Sequence, residues 1–265
     1  GEVTILPVNS DGIISLEEFR NAIKPNTVLV SLTFANSEIG TIQPISDIAK
    51  IIKESKTKVF PYLHIDTGGS PLYLSMDIPR HNIDLLTLDS GKIYGPKGVG
   101  ALYVRSGTNI RPIIFGGGQE RGLRSGTENL SAISGFTLAL EEGSQNRVVE
   151  SERLSKIRDY AIENILKTFP SSSLNGSVSH RLPNNINICF KGLDAEFATI
   201  ELDILGFSVS YSSSCMTLKD DFSSYVIRNI GREECSKSSL RFTLGKFSQK
   251  SDIDKLILAL KKVVK

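Results

Sequence analysis

Asp84-Leu85-Leu86-Thr87-Leu88-Asp89-Ser90-Gly91-Lys92-Ile93-Tyr94-Gly95-Pro96-Lys97-Gly98-Val99-Gly100 runs a short apolar strand into a tight turn that carries a lysine among small residues. A second apolar strand, Ala101 to Val104, leads the chain away. Lysine is costly to bury, so a lysine at a strand end is either solvated or covalently occupied. The bland reading is a solvated turn lysine. A Walker-type phosphate loop is excluded, because Leu86 stands where its first glycine belongs and Ile93 replaces its Ser/Thr. The other reading is a pocket lysine whose amine forms a Schiff base.

Outward from this stretch, apolar and β-branched segments alternate with helical patterns. Val3–Val8 reads as a strand, and Ser15-Leu-Glu-Glu18 as a capping box opening a helix to Ile23, stopped by Pro25. Thr27–Phe34 is apolar enough for a strand buried on both faces. A helix from about Ser46 places Ile48, Ile51 and Ile52 on one side, and Val59–Ile65 is the next strand, ending at Asp66. This alternation predicts an α/β fold with a mainly parallel sheet. In such sheets chemistry gathers beyond the carboxyl ends of the strands. Asn36, Asp66 and Lys92 all follow strand ends.

Past the glycine- and arginine-rich 116–126 connection, Thr127 is expected to open a helix to about Glu141. The polar run Glu142-Gly-Ser-Gln-Asn-Arg147 is read as a boundary between a large domain, 1–146, and a small α+β domain, 147–265. The second part opens with an amphipathic helix carrying Leu154, Ile157, Ala161 and Ile165 on one side. Strands at Asn185–Phe190, Phe207–Ser210 and Ser239–Leu244 follow, with helices at Ala195–Leu205, Ser223–Ile230 and from Ser251.

Composition narrows the function. The 265 residues are 40% hydrophobic with a net charge of +2, ordinary for a globular protein and without a basic patch for nucleic acid. No apolar run approaches the roughly 20 residues that cross a bilayer. Cys189, Cys215 and Cys235 show no metal-ligand spacing and no close pair, which suits a reducing, cytoplasmic setting. Cys189 in Asn-Ile-Asn-Ile-Cys-Phe reads as core, Cys235 as incidental, and Cys215 lies in a serine-rich polar run, Ser210-Tyr-Ser-Ser-Ser-Cys215, poorly explained by packing. Asp66 has a cap as its plain reading, Thr127 a helix cap, and Arg241 in Ser-Leu-Arg-Phe-Thr-Leu a surface ion pair.

Ser90-Gly-Lys-Ile-Tyr-Gly-Pro-Lys-Gly-Val-Gly-Ala-Leu-Tyr-Val104 resembles the cofactor-lysine segment of cysteine desulfurases and selenocysteine lyases. These are class V aminotransferase-like, fold type I enzymes that use pyridoxal 5'-phosphate (PLP). The likeness continues through Gly116-Gly-Gly-Gln-Glu-Arg-Gly-Leu-Arg-Ser-Gly-Thr-Glu-Asn129 and Ser239-Leu-Arg-Phe-Thr-Leu-Gly-Lys246, and so covers essentially the whole chain. It implies Lys92 as the PLP lysine, Asp66 as partner of the pyridine nitrogen and Thr127 as a ligand of the phosphate in the other subunit of a homodimer. It further implies Arg241 as the clamp on the substrate carboxylate and Cys215 as the cysteine that forms a persulfide. The reaction implied takes sulfur from L-cysteine, leaves L-alanine, and passes the sulfur to an acceptor or scaffold protein for iron–sulfur clusters or tRNA thiolation. Two alternatives remain: a selenocysteine lyase, and a catalytically weak relative kept as a structural or partner-binding subunit.

The sequence departs from the family around the cofactor. Gly91 stands for a histidine, Asp89 for a serine, Gly69 for a glutamine and Ser37 for a second asparagine, with Ser90 as a substitute phosphate donor. Gly1-Glu-Val-Thr-Ile-Leu-Pro-Val8 also reads as an internal strand, and the family's opening portion, with a phosphate-binding turn and a ring-stacking histidine, has no counterpart. The expectation is a fragment or a trimmed protein that by itself holds PLP poorly.

Overall fold

The alternation of apolar strands and one-sided helices becomes two compact units, one comprising residues 23–34 and 45–146, the other residues 1–22, 35–44 and 147–265. The structure, a computed structural model, describes residues 1–55, 57–211 and 223–264. These units are not consecutive stretches of chain: residues 1–22 and 35–44 group with 147–265.

In the 23–146 unit, β1 (Leu29–Thr33), β2 (Tyr62–Asp66) and β3 (Leu85–Asp89) run parallel in that order, and β4 (Gly100–Val104) pairs antiparallel with β3. Helix α2 (Ile45–Glu54) buries Ile45, Ile48, Ala49, Ile51 and Ile52, the side its spacing predicted, and a single-turn helix α3 (Ile78–His81) lies between β2 and β3. Leu63 and Ile65 of β2 and Leu86 of β3 are each no more than 1% exposed, so the core lies on one side of the sheet. The other side is polar. His64 bridges Ser31 Oγ (Nδ1, 2.8 Å) and Thr87 Oγ1 (Nε2, 2.8 Å), one hydrogen-bonded row across β1, β2 and β3. Burial pushes His64 below its usual range, partly offset by Asp66 two residues on. β1 corrects an expectation: it alternates between exposed and half-buried rather than being buried on both faces.

The other unit centres on an antiparallel sheet, β5 (Ser172–Leu174), β6 (Asn185–Phe190) and β7 (Ser239–Thr243), with β6 in the middle and buried throughout. It also holds α1 (Leu16–Ala22), α5 (Ala195–Ile204), α6 (Tyr225–Asn229) and α7 (Lys250–Val263). Val3–Val8 is not a strand: only Val8 bridges, to Ile14. Phe207–Ser210 likewise reduces to one bridge, Ser210 to Arg241.

Helix α4 (Leu130–Thr168) corrects two boundaries at once. The polar 142–147 run stays helical, since none of its residues forbids a helix and a single glycine costs only about 1 kcal/mol. Gly143 has a tertiary reason as well: a Cβ there would lie 2.8 Å from Leu72 Cδ2, so its absence lets Leu72 approach. The helix starts at Leu130 rather than Thr127 because Asn129 is the better cap, its Oδ1 accepting from Ala132 N at 3.2 Å. Leu154, Ile157, Ala161 and Ile165 are buried, at 9% exposure or less.

The cysteines correct a third expectation. Cys189 and Cys235 are joined in a disulfide, with Cα atoms 5.4 Å apart across a sequence separation of 46. Cys235 is therefore not incidental, and cysteine usage no longer argues for a reducing setting. The bond sits in an apolar cluster with Ile39, Ile227 and Ile230. Loops of this size gain about 4 kcal/mol from cross-linking in the chain-entropy model. Cys235→Ser is expected to lower unfolding stability by about 2–4 kcal/mol. Urea unfolding with and without dithiothreitol checks this; equal midpoints in wild type under both conditions would contradict it.

Candidate active site

The turn after β3 is built to present Lys92. The Asp89 carboxylate accepts from Gly91 N at 2.9 Å and opens a 3-10 turn, Ser90–Lys92, so this aspartate is occupied as a cap. Ile93, 2% exposed, anchors the turn while Lys92 stays exposed. Ser90 N donates to Val99 O at 3.2 Å, and Gly95 N donates back to Ser90 O at 3.0 Å. Gly95 is sterically required, because a Cβ would sit 2.3 Å from Ser90 Oγ. That contact corrects the role expected of Ser90: its hydroxyl is wholly buried and without a hydrogen-bond partner among the described residues, so it does not face a phosphate.

Asp66 ends the neighbouring strand, in register with Thr33 and Thr87. Its carboxylate is exposed, and Oδ1 accepts from Gly68 N at 3.0 Å. Thr67 ties this turn to β3, its hydroxyl donating to Thr87 O at 2.7 Å. Gly69 then passes so close to the lysine turn that a Cβ would stand 3.3 Å from Lys92 O. The structure thus brings the Asp66 and Lys92 turns together, side by side at the carboxyl edge of a parallel pair. Thr127 lies exposed in the connection ahead of α4, three residues before its first turn.

A cavity of about 190 Å³ lined by Ala49, Ile52, Leu63, Asp84 and Arg105 lies elsewhere. Asp84 precedes β3 and Lys92 follows it, so cavity and lysine occupy opposite ends of the strand. An Asp84–Arg105 ion pair at 3.4 Å occupies the polar side of that cavity, leaving little chemistry there.

Arg241 and Cys215 belong to the other unit. Cys215 lies outside the described residues. Arg241 stands in β7 between Leu240 and Phe242, both buried, and is itself half-buried, as the alternation predicted. Its backbone is paired on both sides, with Asn187 of β6 and with Ser210 (N to O, 2.6 Å). Its Nη1 donates to Ser37 O at 3.3 Å. Ser37 belongs to a turn formed by Asn36, whose Oδ1 accepts from Glu38 N at 2.9 Å and Ile39 N at 3.0 Å. The Asn36 Oδ1 is thus occupied in its own turn. Glu38 was missed by sequence reasoning, since an acid in a polar turn reads as solvated; here it is 2% exposed.

The aminotransferase class-V family model matches residues 1–256. The chain belongs to that family. Among curated relatives, this class-V chain is 42% identical over 267 residues to cysteine desulfurase IscS of Clostridium botulinum, covering 100% of itself and 66% of that protein. It is 41% identical over 264 residues to cysteine desulfurase IscS 1 of Archaeoglobus fulgidus, covering 99% of itself and 67% of the relative. A solved NifS-like protein superposes with a TM-score of 0.88 at 30% identity, over 99% of this chain and 67% of the other. A NifS-like protein from Rickettsia africae gives 0.86 at 32%, over 97% and 68%. The α/β architecture of this class-V chain is accordingly that of the aminotransferase-like fold, and PLP use is a property of the family. The chain spans 66% of the length of the Clostridium botulinum relatives it matches. Among its described residues, no helix is long and apolar enough to cross a membrane.

Proposed function

We propose that this chain is the larger part of a PLP-dependent cysteine desulfurase that takes sulfur from L-cysteine and leaves L-alanine. The observation that carries the reading is the paired turn of Asp66 and Lys92, in a chain 42% identical to a cysteine desulfurase. The donor set fits PLP: a primary amine for the aldehyde and, one strand over, a carboxylate for a protonated ring nitrogen. When bound, the cofactor supplies an electron sink for charge developing at the substrate carbon.

The protein's own residues do the rest. Lys92 would hold the cofactor through its primary amine, and the same amine is suited to move protons at the substrate carbon. Asp66 would hold the ring nitrogen protonated, and burial of His64 nearby disfavours a charged imidazole beside it. Thr127 offers a hydroxyl to a phosphate, in the family manner that goes with a homodimer. Arg241 binds the substrate carboxylate through its planar fork. Cys215 supplies the thiolate: it attacks the sulfur of L-cysteine, the carbon–sulfur bond breaks with its electron pair left on carbon, a proton there completes L-alanine, and the sulfur stays on Cys215 as a persulfide for onward transfer to an acceptor or scaffold protein. Sulfur transfer of this kind in a cytoplasmic homodimer is part of the same proposal and is supported by family likeness. Domain bounds of 1–146 and 147–265 are proposed with it.

The full-length protein, supplied with PLP and L-cysteine, is expected to release one alanine per sulfur removed. Arg241→Ala is expected to raise KM for L-cysteine about 10- to 100-fold, from the loss of about 1.5–3 kcal/mol of charge-assisted bonding. Steady-state kinetics check this, and an unchanged KM would remove Arg241 from the site. One observation favours the second reading, a weakly active relative: Ser90 is buried and Asp89 is a carboxylate, which leaves Thr127 as the named phosphate donor. Full-length protein that binds no PLP at micromolar concentration would establish that reading instead.

A further inference from the structure

Beside Arg241 lies a carboxylate for which neither the fold nor the reaction yet accounts. Glu38 is 2% exposed, and Ser224 donates its hydroxyl to Oε1. Oε2 has no hydrogen-bond partner among the described residues, and neither does the buried Nε of Arg241. Burial holds the Glu38 carboxyl above its usual range, opposed by the Ser224 hydrogen bond and by the Arg241 charge. Burial likewise pulls the guanidinium below its own range, and the Glu38 charge raises it again. The two feel each other, yet among the described residues no ion-pair contact within 4 Å joins them. A buried charge without a direct partner is expensive, and a carboxylate serving packing alone would be better replaced by an apolar side chain.

Both groups are held firmly. The Glu38 carbonyl accepts from Asn185 Nδ2 at 3.1 Å and Asn187 Nδ2 at 2.9 Å. Ser224 also caps α6, its Oγ accepting from Ile227 N at 3.1 Å, so the hydroxyl that fixes Glu38 is itself fixed. The Arg241 backbone is clamped between Asn187 and Ser210. A direct bidentate pair would consume the donors of the fork. With no direct pair, the Glu38 charge acts on the guanidinium without taking its donors, and among the described residues only Nη1 is engaged, by Ser37 O.

We propose that Glu38 is a positioning residue for Arg241: its carboxylate, held by Ser224, aims the guanidinium without pairing with it, so that the donors not taken by Ser37 O face the carboxylate of an incoming amino acid. This rests on the reading of Arg241 as the substrate-carboxylate clamp. It predicts that losing the Glu38 charge weakens ligands that carry a carboxylate and spares amines that lack one.

The test uses full-length, PLP-loaded protein and calorimetric titration with L-alanine and with ethylamine, the same ligand without its carboxylate. Glu38→Gln is expected to weaken L-alanine about 10-fold, the low end for removing a group that supports a ligand-binding residue. Ethylamine should stay within about twofold. Unchanged L-alanine affinity, or equal losses for both ligands, overturns the proposal. Should Glu38→Gln fail to fold, Ser224→Ala carries the same test, with about a 3-fold selective loss expected from one hydrogen bond. Arg241→Ala separates the layers. If it leaves L-alanine binding intact, the clamp reading fails and takes the proposal with it; if it abolishes discrimination while Glu38→Gln does not, only the positioning role fails.

Discussion

Replacing Lys92 with alanine in the full-length protein is expected to lower turnover about 10³-fold or more, within the range for a positioned proton-transferring group. The expectation comes from how the turn is made. Asp89 caps it, Ile93 pins it, Gly95 lets it fold over Ser90, and Gly69 brings the Asp66 turn against its backbone. Among the described residues no other lysine shares that setting; Lys97, five residues on, follows Pro96 in the exposed stretch that returns to β4. Borohydride reduction of the PLP-loaded protein followed by peptide mapping should put the pyridoxyl group on Lys92. A label on Lys97 would move the site, and Lys92→Ala with wild-type turnover would remove it.

Cys215→Ser is expected to abolish persulfide formation, lowering L-cysteine turnover about 10³-fold or more, as loss of an essential nucleophile does, while PLP binding stays intact. The tertiary structure removes the other two cysteines. Cys189 and Cys235 are bonded to each other in a buried cluster, so neither sulfur is a thiolate available for attack. Of the three cysteines, only Cys215 remains outside that bond. Alanine and sulfide production by Cys215→Ser and Cys235→Ser, measured side by side, checks the assignment. The first should be inactive, and the second active but less stable. The opposite pattern would mean that the sulfur carrier has been misplaced.

The residues proposed for cofactor and for substrate lie in different units: Asp66 and Lys92 in one, Arg241, Glu38 and Ser224 in the other. The first pair stands on adjacent parallel strands, where carboxyl ends converge by construction. The second group is drawn from three distant stretches of sequence, around 38, 224 and 241, by side-chain and backbone hydrogen bonds.

What the sequence determined by itself is what depends on near neighbours. The one-sided spacing of Ile48, Ile51 and Ile52 made α2 whatever lay beneath it, because helical period alone gathers those side chains. Alternation placed Arg241 opposite Leu240 and Phe242, and the glycine-flanked turn marked Lys92. The tertiary structure decided what depends on distant partners. Thr127 gave up its helix to Asn129, and 142–147 stayed helical where Leu72 packs on Gly143. The Cys189–Cys235 bond joins β6 to the turn before β7, a pairing no spacing encodes. Glu38 is the clearest case. An acid in a five-residue turn has no local reason to be buried. It is buried because Asn185, Asn187 and Ser224 hold that turn from about 150 to 190 residues away, and Arg241 makes the burial bearable.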